Sequence, residues 1–214
     1  MTSDDIERIR SALERVVLRV TADQDLGMKT TPMIRAYGFA VRIRLGGKVL
    51  IVTSLPLVVK ASSIRITTGD NRVFNASIEF RDPQQALAVL SVANPKDAKA
   101  LASRAGIATL AADGSMKPQT FLYSLVHIPG HGTQVAKGTL LSTQKGPLYG
   151  YWGNDIPVVY GLPLFHFDGT LLGINFRYGF SSNKFGLCAG VERLREFLKA
   201  YAAFDEKRRR KSSR

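Results

Sequence analysis

Three histidines and a single cysteine are the side chains of this 214-residue sequence best suited to nucleophilic or metal chemistry. His127 and His131 lie in LVHIPGHG and His166 lies in FHF, so no two of them share a face of a predicted helix. A serine–histidine dyad needs both groups within hydrogen-bond reach, and a zinc site needs a closed set of nitrogen and sulfur ligands. We therefore expect turn and strand-edge histidines, a buried structural thiol at Cys188, and no metal or cofactor. A relocated catalytic histidine and a reactive cysteine stay open as alternatives.

The elements that would hold these side chains begin with a helix and a set of short strands. Apolar residues recur at helical spacing from Ile6 to Val16, after a helix-starting Ser3, and predict a helix over residues 1–15. Short alternating or apolar runs separated by glycine turns then predict about six strands up to Val92, which suits a small closed barrel. We assign the first barrel to residues 16–110.

The second half repeats this plan. Residues 94–118 are rich in Ala, Ser, Gly and Lys without alternation, which is typical of a connection. About six further strands follow and predict a second barrel over 111–190. Residues 191–206 carry an apolar stripe and predict a final helix, after which 207–214 form a basic tail. The expected class is all-β, with two six-stranded barrels and short terminal helices.

The charge balance points to an acidic partner. Lys and Arg number 30 against 17 acidic residues, which gives a net charge of +13. No apolar stretch approaches the roughly 18 residues of a membrane span, and the acidic start MTSDDIERIR does not resemble a signal or transit peptide. One cysteine allows no disulfide within the chain. We expect a nuclear or cytoplasmic protein.

The succession of four motifs resembles the HtrA or Do-like branch of the trypsin-fold serine proteases, and in particular its degenerate plant-type members. In that family a Gly-Phe strand precedes a His-bearing segment, an Asp-bearing segment follows, and the nucleophile lies in Gly-Asn-Ser-Gly-Gly-Pro-Leu before Asp-Gly and Gly-Ile-Asn. The corresponding runs in this sequence are GFAV at 38–41, VTSLPLV at 52–58, RDPQQALAVL at 81–90, VVYGLPL at 158–164, DG at 168–169 and GIN at 173–175. The resemblance implies a trypsin-like double β-barrel.

The resemblance also implies that the catalytic triad has been lost. Carried over by position, the histidine becomes Pro56, the aspartate becomes Ala86 and the serine becomes Tyr160. Proline has no titratable nitrogen, alanine cannot orient an imidazole, and a tyrosine hydroxyl without an adjacent base is a weak nucleophile. The oxyanion loop becomes Val158-Val159, and a β-branched residue at Val158 resists the backbone that aims two amides at one oxygen. These substitutions predict a protein without protease activity.

Aromatic residues near the former nucleophile are candidates for partner binding. Tyr160 either fills space left by the lost imidazole, plugs the substrate pocket, or anchors a partner. Tyr151 and Trp152 either pack within a barrel or present a recognition surface.

The basic tail KRRRKSSR has several readings that share an attraction to phosphate. Its cations are Lys207, Arg208, Arg209, Arg210, Lys211 and Arg214. They would form a nuclear localisation signal, a nucleic-acid arm or an anionic-membrane contact, with a solvated tail as the plain alternative. With about four to six phosphate contacts, binding to a duplex should fall with salt at a log-log slope of about −4 to −5. Because the tail lies beyond the last apolar residue, its deletion should leave folding unchanged.

These inferences favour an HtrA-like pseudoprotease that acts as a protein-binding or assembly scaffold. The alternative is a nucleic-acid or ribonucleoprotein-associated factor that uses the basic body and tail. An unorthodox serine hydrolase ranks third. Neither the partner nor the oligomeric state is encoded in a recognisable motif.

Overall fold

The computed structural model describes residues 2–24, 34–128, 132–143, 148–153, 159–178 and 185–212 of the chain. Within these residues, the first half contains α1 (Ser3–Val16), β1 (Val17–Gln24), β2 (Ile34–Leu45), β3 (Lys48–Ser54), α2 (Leu55–Val58), β4 (Ala61–Thr67), β5 (Val73–Asp82), β6 (Leu87–Ser91) and α3 (Pro95–Arg104). The second half contains β7 (Phe121–Ile128), β8 (Gly132–Thr143), β9 (Leu148–Trp152), β10 (Pro163–Phe165), β11 (Leu171–Tyr178), β12 (Phe185–Gly190) and α4 (Val191–Ser212).

The strands form two closed antiparallel barrels, as the sequence predicted. The first has the order β1-β2-β3-β6-β5-β4 and closes because β1 pairs with both β2 and β4. The second has the order β10-β11-β12-β9-β8-β7 and closes between β10 and β7. Alternation creates each interior: Val20 and Ala22 of β1 are buried inside the first barrel, whereas Arg19 and Thr21 point outward.

Helix α1 starts one residue earlier than expected. Its N-cap is Thr2 rather than Ser3, because the Thr2 hydroxyl accepts from the Asp5 amide at 3.2 Å while the Asp5 carboxylate accepts from the Thr2 amide at 2.9 Å. This reciprocal capping box satisfies two donors that a bare helix start leaves unpaired. Ile9 and Leu13 form the buried face and belong to the core between the two barrels.

Helix α3 lies within the segment that the sequence assigned to a connection. Its start follows a standard pattern, with the Asn94 side chain accepting from the Lys96 amide at 2.9 Å and Pro95 in the first turn. At its other end, the buried guanidinium of Arg42 donates to the carbonyls of Ala102 and Ala105. A cation at this end is favoured by the helix dipole.

Helix α4 is longer than expected and continues through the basic tail to Ser212. Its stripe of Leu194, Phe197, Leu198 and Tyr201 is buried in the core between the barrels, together with residues of α1 and of both barrels. Within the described residues, no helix is both long and apolar enough to cross a membrane.

Candidate functional site

Pro56 and Ala86, which the sequence motifs assigned to the histidine and aspartate positions, lie in neighbouring segments of the first barrel. Pro56 is half-buried in the single turn of α2 that follows β3. The amide of the preceding residue, Leu55, donates to the carbonyl of Ala86 at 2.8 Å. The two segments are therefore in contact, and neither side chain has a polar atom that could exchange a proton.

Ala86 occupies a backbone conformation that alanine rarely adopts. It ends the turn between β5 and β6 with φ at 55°, in the left-handed region that costs an ordinary L-residue about 1 kcal/mol or more. The turn itself is held by Asp82, whose carboxylate accepts from the amides of Gln84 and Gln85 at 2.9 and 3.1 Å. Arg193 of α4 donates to the Gln85 side chain at 2.6 Å and to the Gln84 carbonyl. The turn that ends at Ala86 is thus held by hydrogen bonds with Asp82 and Arg193.

Tyr160 lies at the seam between the barrels. Its carbonyl accepts from the amide of Phe39 at 3.0 Å, and its half-buried side chain packs against the first-barrel core. A Cβ atom at Gly38 would clash with the Tyr160 carbonyl and would lie 2.6 Å from Leu57. Tyr160 and Leu57 of α2 therefore both lie against Gly38.

Gly161 follows Tyr160 and occupies a position that requires glycine. Its φ is +73°, and a Cβ atom there would clash with the Phe39 carbonyl and lie 2.6 Å from the Thr53 hydroxyl. Its amide donates to the Asn175 carbonyl at 2.8 Å. Glycine is required here for both backbone angle and space.

The former oxyanion loop is described only in part, because Val158 lies outside the described residues. The Val159 carbonyl accepts from the Asn175 side-chain amide at 2.7 Å. In the part of the chain that the structure describes, the Asn175 side-chain oxygen and the Ser54 hydroxyl are buried without a hydrogen-bond partner. The sequence did not single out either atom, although Ser54 lies in the run VTSLPLV and Asn175 lies in the run GIN. Buried polar atoms of this kind are rare and need an explanation.

The aromatic candidates differ in exposure. Tyr151 is fully buried in the second-barrel core, which corrects the expectation that it forms part of a binding surface. Its position in β9 points inward, whereas the next residue, Trp152, points outward and is 40% exposed. Trp152 pairs across the sheet with Thr139, which in turn pairs with Phe121, itself 50% exposed. Two exposed aromatic side chains, Phe121 of β7 and Trp152 of β9, thus lie on either side of Thr139 of β8. The sequence alone did not identify this arrangement.

The histidines and the cysteine show no assembled reactive site. His166 contacts the Asp168 carboxylate at 3.4 Å in the turn before β11. The side chain of His127 and the whole of His131 lie outside the described residues. No group of three metal-ligating side chains occurs among the described residues. Cys188 is fully buried beside the Tyr149 carbonyl, and burial raises the pKa of its thiol. The expectation of a buried thiol is confirmed.

The basic tail is partly occupied by contacts within the chain. Arg208 lies 2.8 Å from Glu79 and 3.0 Å from Asp205, and Arg209 lies 3.1 Å from Asp205. Arg210 lies 2.5 Å from Glu206. Lys207 and Lys211 are exposed and make no recorded ion pair with any described residue, while Arg214 lies outside the described residues. The tail is therefore the last part of α4 rather than a separate arm.

The architecture and the order of motifs define a protein with the trypsin-like double-barrel fold. The chain is similar in structure to the Rv3671c protease from M. tuberculosis in its active form, with a TM-score of 0.67 over 88% of this chain and 81% of that chain. The two sequences are 17% identical, so the likeness shows the fold alone. No protein-family model and no curated protein matches this sequence.

Proposed function

We propose that this chain is a catalytically inactive pseudoprotease of HtrA-like type that serves as a protein-binding or assembly scaffold. One observation supports the proposal: in a chain with the trypsin-like fold, the positions that the family motifs assign to histidine, aspartate and serine hold Pro56, Ala86 and Tyr160. None of these side chains can act as a base, orient a base or form an activated nucleophile. Binding is the function left to such a site.

The absence of catalysis is tested directly with the purified chain. It should neither cleave unfolded casein nor react with a fluorophosphonate probe above a heat-denatured control, because no serine has an activating base in the former site. Stoichiometric labelling of any serine would contradict the proposal and favour the unorthodox hydrolase.

A reconstruction variant tests the surrounding framework. Pro56→His, Ala86→Asp and Tyr160→Ser together should not restore rapid turnover, since the valine at position 158 disfavours the backbone of an oxyanion hole. Fast turnover by this triple variant would show that the loop still supports catalysis. The Ala86→Asp single variant controls for folding, because aspartate tolerates the left-handed conformation at this position.

Partner binding is tested at the two aromatic candidates that reach the surface. Tyr160→Ala and Trp152→Ala should each weaken binding to a partner recovered by affinity purification with and without nuclease, since buried aromatic anchors carry much of the binding energy. Phe167→Ala is the matched control, because Phe167 is a 55% exposed aromatic residue in the turn between β10 and β11. An equal effect of all three substitutions would remove this surface from the proposal.

The second candidate is electrostatic nucleic-acid binding, favoured by the exposed cations of α4. Arg210 and Lys211 follow Lys207 by three and four residues, so the three side chains share one face of the helix. A recovered partner that disappears after nuclease treatment would favour this candidate over a protein scaffold. The same basic run is the proposed nuclear localisation signal.

A further inference from the structure

We propose that a cleft between the two barrels binds the phosphate group of a small organic molecule. The cleft has a volume of about 530 Å³ and lies where α1, β1, the turn after β4 and the second barrel meet. Its size falls in the range of about 300–1,000 Å³ that is usual for small-molecule sites. This proposal goes beyond the scaffold function and does not depend on it. The lining residues used below are Ser11, Arg15, Arg19, Phe39, Arg104 and Leu125.

The two carboxylates of the cleft each pair with an arginine other than Arg15 and Arg19. Asp70 lies 3.0 Å from the Nε of Arg104, and Glu14 lies 3.0 Å from the Nε of Arg10 at the neighbouring turn of α1. Arg10 also lies 3.6 Å from Glu7, so Glu14 shares its cation. The lining of the cleft itself holds three arginines against two carboxylates and is therefore positively charged.

Two further guanidinium groups, those of Arg15 and Arg19, form no ion pair with the described residues. Arg19 donates to two neutral oxygens, the Asn71 side chain at 2.5 Å and the Thr68 carbonyl at 3.5 Å, which hold it in place without removing its charge. Arg15 makes no recorded side-chain hydrogen bond or ion pair with the described residues. Guanidinium groups recognise phosphate through paired hydrogen bonds, and a preorganised group loses less entropy when it does so.

The remaining wall suits an ester rather than a free ion. Phe39 and Leu125 contribute apolar surface from the two barrels, and Ser11 adds a hydroxyl donor from α1. A bound phosphate ester would place its anionic group against Arg15 and Arg19 and its organic group against this apolar surface. The backbone of a duplex offers its phosphates as diesters on a convex surface, which a cleft between several elements admits poorly.

The test is a thermal-shift and calorimetric titration of the full chain with glucose 6-phosphate and with inorganic phosphate. Glucose and sodium chloride at matched ionic strength are the reference additives. We expect saturable stabilisation by both phosphates, tighter for the ester, and no saturable effect of the references. Arg15→Gln should weaken phosphate binding at least tenfold, and the addition of Arg19→Gln should abolish it.

Arg8→Gln is the matched control, because Arg8 also lies on α1, has a side chain that is 74% exposed, and contacts only Asp5. It should leave phosphate binding unchanged. If the double variant unfolds, the single variant Arg15→Gln still tests phosphate binding, because the Arg15 side chain makes no hydrogen bond or ion pair with the described residues. Equal stabilisation by phosphate and chloride, or equal losses in Arg8→Gln and Arg15→Gln, would overturn the proposal. Arg15-dependent binding of an oligonucleotide without binding of glucose 6-phosphate would also overturn it and assign the cleft to nucleic acid.

Discussion

At the scale of single residues, Ala86 has a backbone conformation that suits glycine better than alanine. Its left-handed φ of 55° disfavours alanine, whereas glycine adopts this conformation without a steric cost. Ala86→Gly should therefore raise the free energy of unfolding by about 1 kcal/mol. Urea denaturation of the two proteins measures the difference.

Ala112→Gly is the comparison for this prediction, because Ala112 is exposed, lies outside regular secondary structure and does not have a positive φ. Glycine there only increases the entropy of the unfolded chain and should lower stability by about 0.5–1 kcal/mol. If both substitutions changed the free energy of unfolding in the same direction, Ala86 would not be strained.

Asp23 makes stability depend on pH. Arg35 donates to its carboxylate at 2.7 Å and Ser63 at 2.8 Å, and these contacts hold the pKa of Asp23 below its ordinary value. A lowered folded-state pKa stabilises the fold above the unfolded value of about 4, and this contribution is lost as pH falls through the folded value. Asp23→Asn should thus be less stable than the natural chain at pH 7 and approach it in stability toward pH 3.

Urea midpoints at the two pH values measure this change. Asp4→Asn serves as the control, since Asp4 is exposed on α1 and has no recorded ion pair with a described residue. A stability difference for Asp23→Asn that is the same at both pH values would contradict the assignment.

At the scale of elements, α4 changes what the basic tail should do. Arg208 and Arg209 are engaged by Glu79 and Asp205, so about three outward cations remain and the expected log-log salt slope is about −3 rather than −4 to −5. Deletion of 207–214 should flatten this slope almost completely. It should also cost up to about 1 kcal/mol of stability, because a half-exposed pair such as Arg208–Glu79 contributes little.

A salt titration on labelled DNA and RNA measures the slope. Lys207→Gln with Lys211→Gln keeps the helix and its ion pairs, and should reduce the slope by about 2. Identical slopes for the full chain and the truncated chain would remove the nucleic-acid candidate. Unchanged nuclear entry of the truncated chain would remove the localisation signal.

The elements also show how far the sequence could predict this fold. Alternation of apolar residues predicted both barrels, because each strand buries one face and exposes the other. Helix α3 was missed although Asn94 and Pro95 are recognisable start signals, since its short alanine-rich body has only one fully buried side chain, Leu101. The continuation of α4 was missed because the basic run was interpreted as a tail, although Asp205–Arg209 and Glu206–Arg210 have the i,i+4 spacing that supports a helix.

The candidate site residues that belong to short sequence motifs could be selected from the sequence alone. The motifs selected Pro56, Ala86 and Tyr160 by position, and the structure places the amide of Leu55, the neighbour of Pro56, against the Ala86 carbonyl. The burial of Tyr151 and the cleft at Arg15 could not be predicted in this way. Both depend on how strands and helices distant in the sequence pack against each other.

At the scale of the whole molecule, Gly161 lies where the chain leading into the second barrel closely approaches Phe39 and Thr53 of the first. Gly161→Ala combines a left-handed backbone with a clash against the Phe39 carbonyl, so it should cost about 3 kcal/mol or more, or prevent folding. Gly46→Ala is the matched control, because its φ is also positive at +55° and a Cβ atom there meets nothing within 4 Å. It should cost only about 1 kcal/mol. Equal costs would show that the seam tolerates displacement.

The position of α4 between the barrels has a consequence for how the chain is made. The outward apolar residues Val41, Ile43 and Leu50 of the first barrel pack in the same core as Phe197 and Tyr201 of α4. Ribosomes add about 5–20 residues each second, so this surface stays uncovered for on the order of ten seconds after its own synthesis. A nascent chain in this interval exposes the apolar surface of these strands to solvent. Efficient production of this protein in a cell should therefore depend on chaperones that hold the first barrel until α4 has emerged.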